Sequence, residues 1–269
     1  MPDTTTPDPW LVVPPRFRGP SSSGNGGWTS GALAEFLPGA PAVTVRLFAP
    51  PPLATPMAVE MSRADDGSGR RVAVARAAGT VVLQASEVED DLEALDVVDV
   101  ETARAAQARY GGLADHPFPE CFSCGTGRRA GDGLALRPGR VAQDGDDGDG
   151  GAGGDPGDCV IVATTWTPAP EQAGDDAVRV PAPIAWAALD CPGGWSVDIS
   201  GRPMVLGTMT AALGRLPRVG EECVVVGRCE KVSGRKALTT STLRGDGGEV
   251  LGRARAVWIA VDPSSVQPR

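Results

Sequence analysis

The pattern of hydrophobic and polar positions along the chain predicts the same order of elements twice. In the first half, a glycine-rich stretch leads into a helix over residues 29–37, and Pro38-Gly39 acts as its stop signal. In the second half, a proline-rich stretch leads into a helix over residues 184–189. Each helix is followed by short runs of strand-like residues. The chain therefore repeats one pattern, although its two halves share no visible sequence repeat.

The runs with strand character predict two antiparallel meanders. Clusters of Gly, Pro, Asp and Ser separate neighbouring runs at hairpin spacing, and such clusters are typical of tight turns. The fold class that follows is α+β. The predicted strands cover residues 43–48, 57–62, 71–76 and 80–86 in the first half, and residues 160–166, 205–213, 222–232, 236–243 and 250–261 in the second.

The same pattern predicts the domain organisation. Residues 10–86 form an N-terminal unit, residues 87–120 an acidic linker, and residues 121–265 a C-terminal unit. Within the linker, Asp99 is placed to cap a helix over residues 100–110. Residues 144–158 contain mainly Asp and Gly, and we expect them to form a flexible loop because such a composition cannot bury apolar surface. Pro192-Gly193-Gly194 is expected to disturb the second helix.

Charge and cysteine usage narrow the function classes. The net charge of -9 provides no positive field for nucleic acid or for an anionic membrane surface. The N-terminus does not look like a signal peptide and no apolar run is long enough to span a bilayer, so we expect a cytoplasmic protein. In that compartment the six cysteines are expected to be reduced thiols, with Cys159, Cys223 and Cys229 in the core.

The C-x-x-C pair Cys121/Cys124 is typical of either a zinc ribbon or a redox turn. A structural zinc site needs four ligands, and no second C-x-x-C or C-x-x-H follows. The only histidine, His116, lies just upstream. We therefore predict no metal and no cofactor.

Three short motifs resemble those of a known superfamily. The segment C-F-S-C-G at 121–125 with G-D-G-L-A-L at 131–136 is similar to the C-F-x-C-G and G-L-x-L segments of thioesterase-superfamily proteins. A-A-L-D at 187–190 resembles the A-L-A-D or L-L-D-E stretch of the hot-dog helix, and Gly26-Gly27 before A-L-A-E at 32–35 resembles its H-G-G start. Two helix-plus-sheet units in one chain thus resemble the double hot-dog acyl-CoA thioesterases.

The chain also departs from the family pattern. Asn25 stands where the first helix would have His, and Pro181-Ala182-Pro183 precedes the second helix. The family uses a Gln in the last strand, where this chain has Arg255, Ala256 and Val257. Thr208 and Thr210 could supply the hydroxyl that the family also uses.

The resemblance implies one composite site between the two helices. Thioester hydrolysis needs a carboxylate that attacks or activates water, and donors for the developing oxyanion. Asp190 is the candidate general base or nucleophile, and Gly26 and Gly27 are the candidate backbone donors, since a helix N-terminus has free N–H groups. The candidate substrate-binding residues are Asn25, Trp28, Thr208 and Thr210.

Two functions stay open at this point. The first is an acyl-CoA thioesterase, and the second is a non-catalytic hot-dog protein that binds acyl-CoA or a related acyl ligand. The surviving Asp190 favours the first, and the missing Gln and His-Gly-Gly favour the second. A hydratase would need a His working with the acid, and His116 lies in the predicted linker. The expected partner is an acyl-CoA or related thioester, and exposed edge strands would allow a homodimer.

Overall fold

The computed structural model describes residues 9–142, 159–197 and 199–262. The Asp/Gly loop predicted to be flexible, residues 144–158, lies outside the described residues. Three α-helices are described: α1 (Gly26–Ala34), α2 (Val100–Gln107) and α3 (Ala182–Trp195). Within the described ranges no helix combines the length and the apolar composition needed to cross a membrane.

The strands follow the sequence prediction closely, because alternation of apolar and polar residues and the turn residues between them act locally. Two short strands, at the two edges of the sheet, were not predicted. The strands are β1 (Trp10–Leu11), β2 (Ala42–Leu47), β3 (Met57–Arg63), β4 (Arg71–Ala77), β5 (Thr80–Val88), β6 (Gly139–Arg140), β7 (Ile161–Trp166), β8 (Met204–Leu213), β9 (Cys223–Ser233), β10 (Lys236–Arg244) and β11 (Val250–Ala260).

All of these strands belong to one antiparallel sheet of eleven strands, in the order β1-β3-β4-β5-β2-β8-β11-β10-β9-β7-β6. The two halves of the chain meet where β2 pairs with β8, in a register that places Thr44 opposite Thr210. Helix α1 contacts β2, β4, β5 and β8, whereas α3 contacts β7 to β11. Each helix therefore packs mainly on the strands of its own half, and the two helices pack against each other.

Helix α1 starts three residues earlier than predicted because Asn25 caps it. The Asn25 side chain accepts a hydrogen bond from the N–H of Trp28 at 2.8 Å, which satisfies one of the free donors of the first turn. The helix then ends at Ala34, before Pro38-Gly39. The cap makes Gly26 and Gly27 the first two helical residues rather than part of a preceding loop.

Helix α3 continues through Pro192 to Trp195, so the expected disturbance at Pro192-Gly193-Gly194 was wrong. A proline inside a helix removes one backbone hydrogen bond. Tertiary packing overrides this local cost, because every residue from Pro183 to Trp195 is buried. The hydroxyl of Ser241 also donates to the carbonyl of Leu189 at 2.6 Å.

Small residues allow α1 and α3 to approach closely. A Cβ added at Gly27 would lie 2.5 Å from the Cβ of Asp190 and 2.8 Å from the carbonyl oxygen of Trp186. A Cβ added at Gly31 would lie 2.7 Å from the Cα of Pro183. Since Gly27 and Gly31 are four residues apart, they lie on one face of α1, and this face is the contact with α3.

The connecting segment after β5 packs on the opposite face of the sheet. Leu92 forms a small apolar cluster with Ala42 and Ala212. The neighbouring residue on β8, Ala211, belongs to the main core beneath the helices, and adjacent residues of a strand face opposite sides of the sheet. The N–H of Leu95 donates to the hydroxyl of Thr242 at 2.9 Å. Helix α2 then packs on β7.

The expectation that all six cysteines are reduced was wrong for one pair. Cys159 and Cys229 form a disulfide with their Cα atoms 4.8 Å apart, and Cys159 is exposed rather than in the core. The pairing of β7 with β9 brings them together, because the N–H of Cys229 donates to the carbonyl of Val160. Their separation of 70 residues hid this proximity at the level of sequence. Cys121, Cys124, Cys191 and Cys223 are free and buried.

We predict that Gly31→Ala lowers the free energy of unfolding by about 1–3 kcal/mol, because the new methyl group overpacks the contact between α1 and α3. Gly247→Ala is the matched control, since no atom of the described residues lies within 4 Å of its added Cβ, and it should change stability by less than about 0.5 kcal/mol. Urea denaturation measures both. Equal stability of the two variants would contradict the close helix contact.

Candidate functional site

A cavity of about 400 Å³ lies beside the start of α1. Its wall combines the loop before α1, the turn after β2, and the facing ends of β8 and β11. Most of the wall is apolar, and its polar members are concentrated at the helix α1 end. The apolar wall residues include Phe48, Phe118, Ile199, Leu206, Trp258 and Ile259, and the others include Asn25, Gly26, Asp190 and three cysteines.

Asp190 brings a carboxylate from α3 to the start of α1. It is 3% exposed, and its Oδ2 accepts hydrogen bonds from the N–H of Gly27 at 2.9 Å and from Nδ2 of Asn25 at 3.2 Å. Its Oδ1 is buried and has no hydrogen-bond partner within the described residues. The structure therefore joins three of the residues singled out from sequence, and one carboxylate oxygen stays unused.

Burial raises the pKa of Asp190 to about 7. The N–H of Gly27 opposes this rise by favouring the charged form, the nearby Cys121 adds to it, and the Asn25 amide opposes it more weakly. The carboxyl group thus populates both of its protonation states near neutral pH.

Asn25 performs two tasks with one amide group. Its Oδ1 caps α1 through the N–H of Trp28, and its Nδ2 donates to Asp190 and lies 3.6 Å from the Sγ of Cys121. Asn25 is 2% exposed, so these bonds form in a region shielded from water. The same side chain fixes the helix start and orients the carboxylate.

Gly26 and Gly27 occupy different positions relative to the cavity. Gly26 lines it, and Leu206 lies so close that a Cβ at Gly26 would approach the Leu206 side chain to 2.8 Å. Gly27 faces α3, and its N–H already donates to Asp190. Of the two predicted backbone donors, only Gly26 is next to the cavity.

The other residues predicted to bind substrate lie outside the cavity wall. Trp28 stacks on Phe17 with ring centroids 4.2 Å apart. The Thr210 hydroxyl shares a hydrogen bond of 2.8 Å with the Thr44 hydroxyl. Met209 belongs to the core beneath the helices, so alternation directs Thr208 and Thr210 to the opposite face of β8. A substrate-binding role for these three side chains stays a prediction, and their positions outside the cavity wall do not support it.

Three buried sulfur atoms line the same cavity. The Sγ atoms of Cys121, Cys124 and Cys191 all lie within 4.8 Å of one another, and those of Cys121 and Cys191 are 3.7 Å apart. Hydrogen bonds from Cys124 and Cys191 lower the pKa of the Cys121 thiol. Sequence reasoning considered only the C-x-x-C pair and missed Cys191, whose one local signal was its position directly after Asp190.

His116, Tyr110 and Trp195 surround the C-x-x-C segment. The Tyr110 hydroxyl donates to the carbonyl of Cys124 at 2.9 Å, and Nε2 of His116 lies 3.1 Å from the same oxygen. Because Nδ1 of His116 accepts from the N–H of Phe118 at 2.9 Å, its proton is on Nε2. Burial lowers the pKa of His116, so this imidazole is neutral and both of its nitrogens are engaged.

Arg128 and Arg129 line a separate surface cleft of about 780 Å³ together with Arg16 and Arg18. Arg128 is largely committed to the protein itself, since it donates to the carbonyls of Glu120 and Arg16 and pairs with Asp132 at 3.0 Å. Acidic side chains share the cleft, so it is not a purely positive surface.

The chain is similar to solved structures along nearly its whole length. A conserved protein of unknown function with a hot dog fold from Alicyclobacillus acidocaldarius is 15% identical, with 94% of this chain and 93% of that chain covered and a TM-score of 0.56. The tesB protein of Mycobacterium avium subs paratuberculosis is 12% identical, with coverages of 94% and 92% and a TM-score of 0.57. An acyl-CoA thioesterase II from Mycobacterium marinum is 11% identical, with coverages of 95% and 93% and a TM-score of 0.51.

No protein-family model matches the chain, and no curated protein matches its sequence. At such low identity the structural likeness shows the fold alone. Together with the long antiparallel sheet it confirms the predicted class, an α+β hot-dog fold.

We predict that Asn25→Ala lowers the free energy of unfolding by about 2–3 kcal/mol, because it removes both the α1 cap and a buried bond to Asp190. Asp99→Ala is the matched control. Asp99 caps α2 through the N–H of Thr102 but makes no buried contact, so its loss should cost only about 1 kcal/mol. Urea unfolding measures both values, and a cost for Asn25→Ala no larger than for Asp99→Ala would show that the bond to Asp190 adds nothing.

Proposed function

We propose that the protein is an acyl-CoA thioesterase in which Asp190 acts as the general base or nucleophile. One observation carries this proposal: a buried carboxylate lies at the wall of an apolar cavity and is held by the start of a facing helix, and one of its oxygens has no hydrogen-bond partner among the described residues. The similarity to a tesB protein and an acyl-CoA thioesterase II supports it.

The proposal includes a double hot-dog arrangement. Residues 10–86 would form one unit around α1, and residues 121–265 a second unit around α3, with residues 87–120 between them. The contacts of each helix with the strands of its own half support this division, and the pairing of β2 with β8 would join the units into one sheet. The site then lies where the two helices meet.

In the proposed reaction the acyl chain occupies the apolar cavity and the thioester carbonyl lies beside Asp190. The carboxylate takes a proton from water as the water oxygen bonds to the carbonyl carbon and the carbonyl electron pair moves onto its oxygen. As the carbon–sulfur bond breaks, the protonated Asp190 gives this proton to the sulfur, and CoA-SH and a carboxylic acid are released. Direct attack by Asp190, followed by hydrolysis of the resulting anhydride, gives the same products.

Gly26 and Gly27 take different parts in this proposal. Gly26 is next to the cavity in the first turn of α1, where backbone N–H groups have no intrahelical acceptor, so its N–H is the candidate oxyanion donor. Gly27 holds Asp190 through its N–H and permits the close contact of the helices. Asn25 orients the same carboxylate.

A second function has its own supporting observation. Neither Gln nor His is among the residues that line the cavity in the described part of the chain, and the N–H of Gly27 already binds Asp190 instead of facing a substrate. Both observations favour a non-catalytic protein that binds acyl-CoA or a related acyl ligand. The two functions differ only in whether the bound thioester is cleaved.

We predict that Asp190→Asn lowers kcat/KM for acyl-CoA hydrolysis by about 10²–10⁴-fold, because the amide cannot accept the proton. The Asn carbonyl can still accept from Gly27, so acyl-CoA binding measured by calorimetry should be unchanged. Glu35→Gln is the matched control, a second carboxylate next to a helix but exposed and outside the cavity wall, and it should keep full activity.

The outcomes of this experiment separate the two functions. Binding of acyl-CoA by the wild-type protein without hydrolysis of any thioester in a broad panel would replace the enzyme with the binding protein. An Asn variant as active as the wild type would reject Asp190 as the base. Loss of activity in Glu35→Gln alone would move the site to the other end of α1.

A further prediction follows from the apolar wall. Each additional methylene of the acyl chain should tighten binding about fourfold, because burial of one methylene contributes about 0.8 kcal/mol, until the cavity is filled. Calorimetry with acyl-CoAs of increasing chain length measures this series, and free CoA is its reference. Equal affinity for CoA and for every acyl-CoA would show that the acyl chain does not enter the cavity.

A further inference from the structure

We propose that Cys121, Cys124 and Cys191 bind one Zn²⁺ ion through their sulfur atoms, with the fourth coordination position open to the cavity beside Asp190. This site goes beyond the proposed function and does not depend on it. The sequence predicted no metal because the C-x-x-C pair lacked further ligands, and the fold supplies a third one from α3.

The sulfur positions are close to those that zinc requires. Zinc–thiolate bonds of about 2.3 Å in a tetrahedral site place the sulfur atoms about 3.8 Å apart. The Sγ atoms of Cys121 and Cys191 are 3.7 Å apart, and every pair among the three is within 4.8 Å. Closing around an ion therefore needs a contraction of at most about 1 Å, which small side-chain rotations provide.

The backbone that carries the sulfurs is held in place without an ion. The N–H of Gly125 donates to the carbonyl of Cys121 at 2.9 Å, and a Cβ at Gly125 would lie 2.4 Å from the carbonyl oxygen of Pro119. This tight turn requires glycine and directs Cys121 and Cys124 toward the third sulfur. Tyr110 fixes the Cys124 carbonyl, and the buried helix α3 fixes Cys191.

Polar hydrogens already point at two of the sulfurs. The indole Nε1 of Trp195 donates to the Sγ of Cys124 at 3.4 Å, and Nδ2 of Asn25 donates to the Sγ of Cys121 at 3.6 Å. Such N–H donors around metal-binding thiolates stabilise their negative charge and orient them. A buried cluster of ordinary apolar cysteines has no need of these donors.

The fourth coordination position of the proposed zinc faces the cavity, because both nitrogens of the nearby His116 already form hydrogen bonds. His116 uses both ring nitrogens, with Nε2 on the Cys124 carbonyl and Nδ1 on the N–H of Phe118. All three cysteines and Asp190 line the cavity. A three-thiolate site with one position left for water or an entering ligand is the arrangement of an open zinc site, and thiolate ligands select zinc over harder divalent ions.

The first test measures metal content in the full-length protein, expressed with added zinc sulfate and purified without chelator. Elemental mass spectrometry should find about one zinc ion per chain, because the three cysteines form a single cluster of ligands. In each of Cys121→Ser, Cys124→Ser and Cys191→Ser the zinc content should fall by at least about tenfold. Loss of a group that only supports a metal ligand already weakens metal affinity about 10–100-fold, and loss of a ligand itself weakens it more. Cys223→Ser is the matched control, a buried free cysteine outside the cluster, and should retain zinc.

A second test needs no variant, and so does not depend on the folding of the serine proteins. Titration of the metal-free wild-type protein with Co²⁺ should saturate at about one equivalent and give sulfur-to-cobalt charge-transfer absorption, as a tetrahedral thiolate site requires. Added Zn²⁺ should abolish that absorption.

Any one of four outcomes would overturn the proposal. The first is that wild-type protein expressed with added zinc sulfate contains no more zinc than a buffer blank. The second is full zinc content in all three serine variants, and the third is a cobalt complex without thiolate absorption. A Cys121–Cys191 disulfide found by peptide mass spectrometry in protein purified under air exclusion would equally replace the metal site with a redox pair.

Discussion

The close contact between α1 and α3 is the constraint on which the rest of the site depends. A buried carboxyl group is costly unless it is hydrogen-bonded, and Asp190 obtains its bonds from the first turn of the other helix. This is possible only because Gly27 and Gly31 have no side chains. The same contact joins the N-terminal half of the chain to the C-terminal half, so the site forms only when both halves are folded and docked.

Helix α3 is the element on which the cavity chemistry converges. Consecutive residues on a helix point about 100° apart, so Asp190 faces α1 while Cys191 faces the segment that carries Cys121 and Cys124. The helix stays intact through Pro192 because the sheet packs tightly beneath it. Because Asp190 and Cys191 are consecutive residues of one rigid helix, the carboxylate and the sulfur cluster are held at a constant separation. An active site or a metal-binding site requires this rigidity, since small displacements of its side chains weaken catalysis and metal binding.

Much of the fold could be predicted from the sequence because its determinants are local. The run predicted over residues 57–62 became the strand Met57–Arg63, and the run over residues 236–243 became Lys236–Arg244. Alternation of apolar and polar residues and the Gly, Pro and Asp turns act within a few residues, and so they are readable without knowledge of the fold. The approach of Asp190 to the glycines of α1 was predicted from the resemblance of two short motifs, not from the pattern of hydrophobic positions.

Only the tertiary structure decided the features that depend on which distant segments meet. The pairing of β7 with β9 brings Cys159 to Cys229, and the docking of α3 brings Cys191 to the C-x-x-C turn. The face of β8 on which Thr208 and Thr210 lie depends on strand register, and a one-residue shift reverses it. The sequence by itself determined the elements and their order, because propensity and periodicity are properties of neighbouring residues. The cavity, the disulfide and the sulfur cluster were decided by long-range packing, which no local pattern encodes.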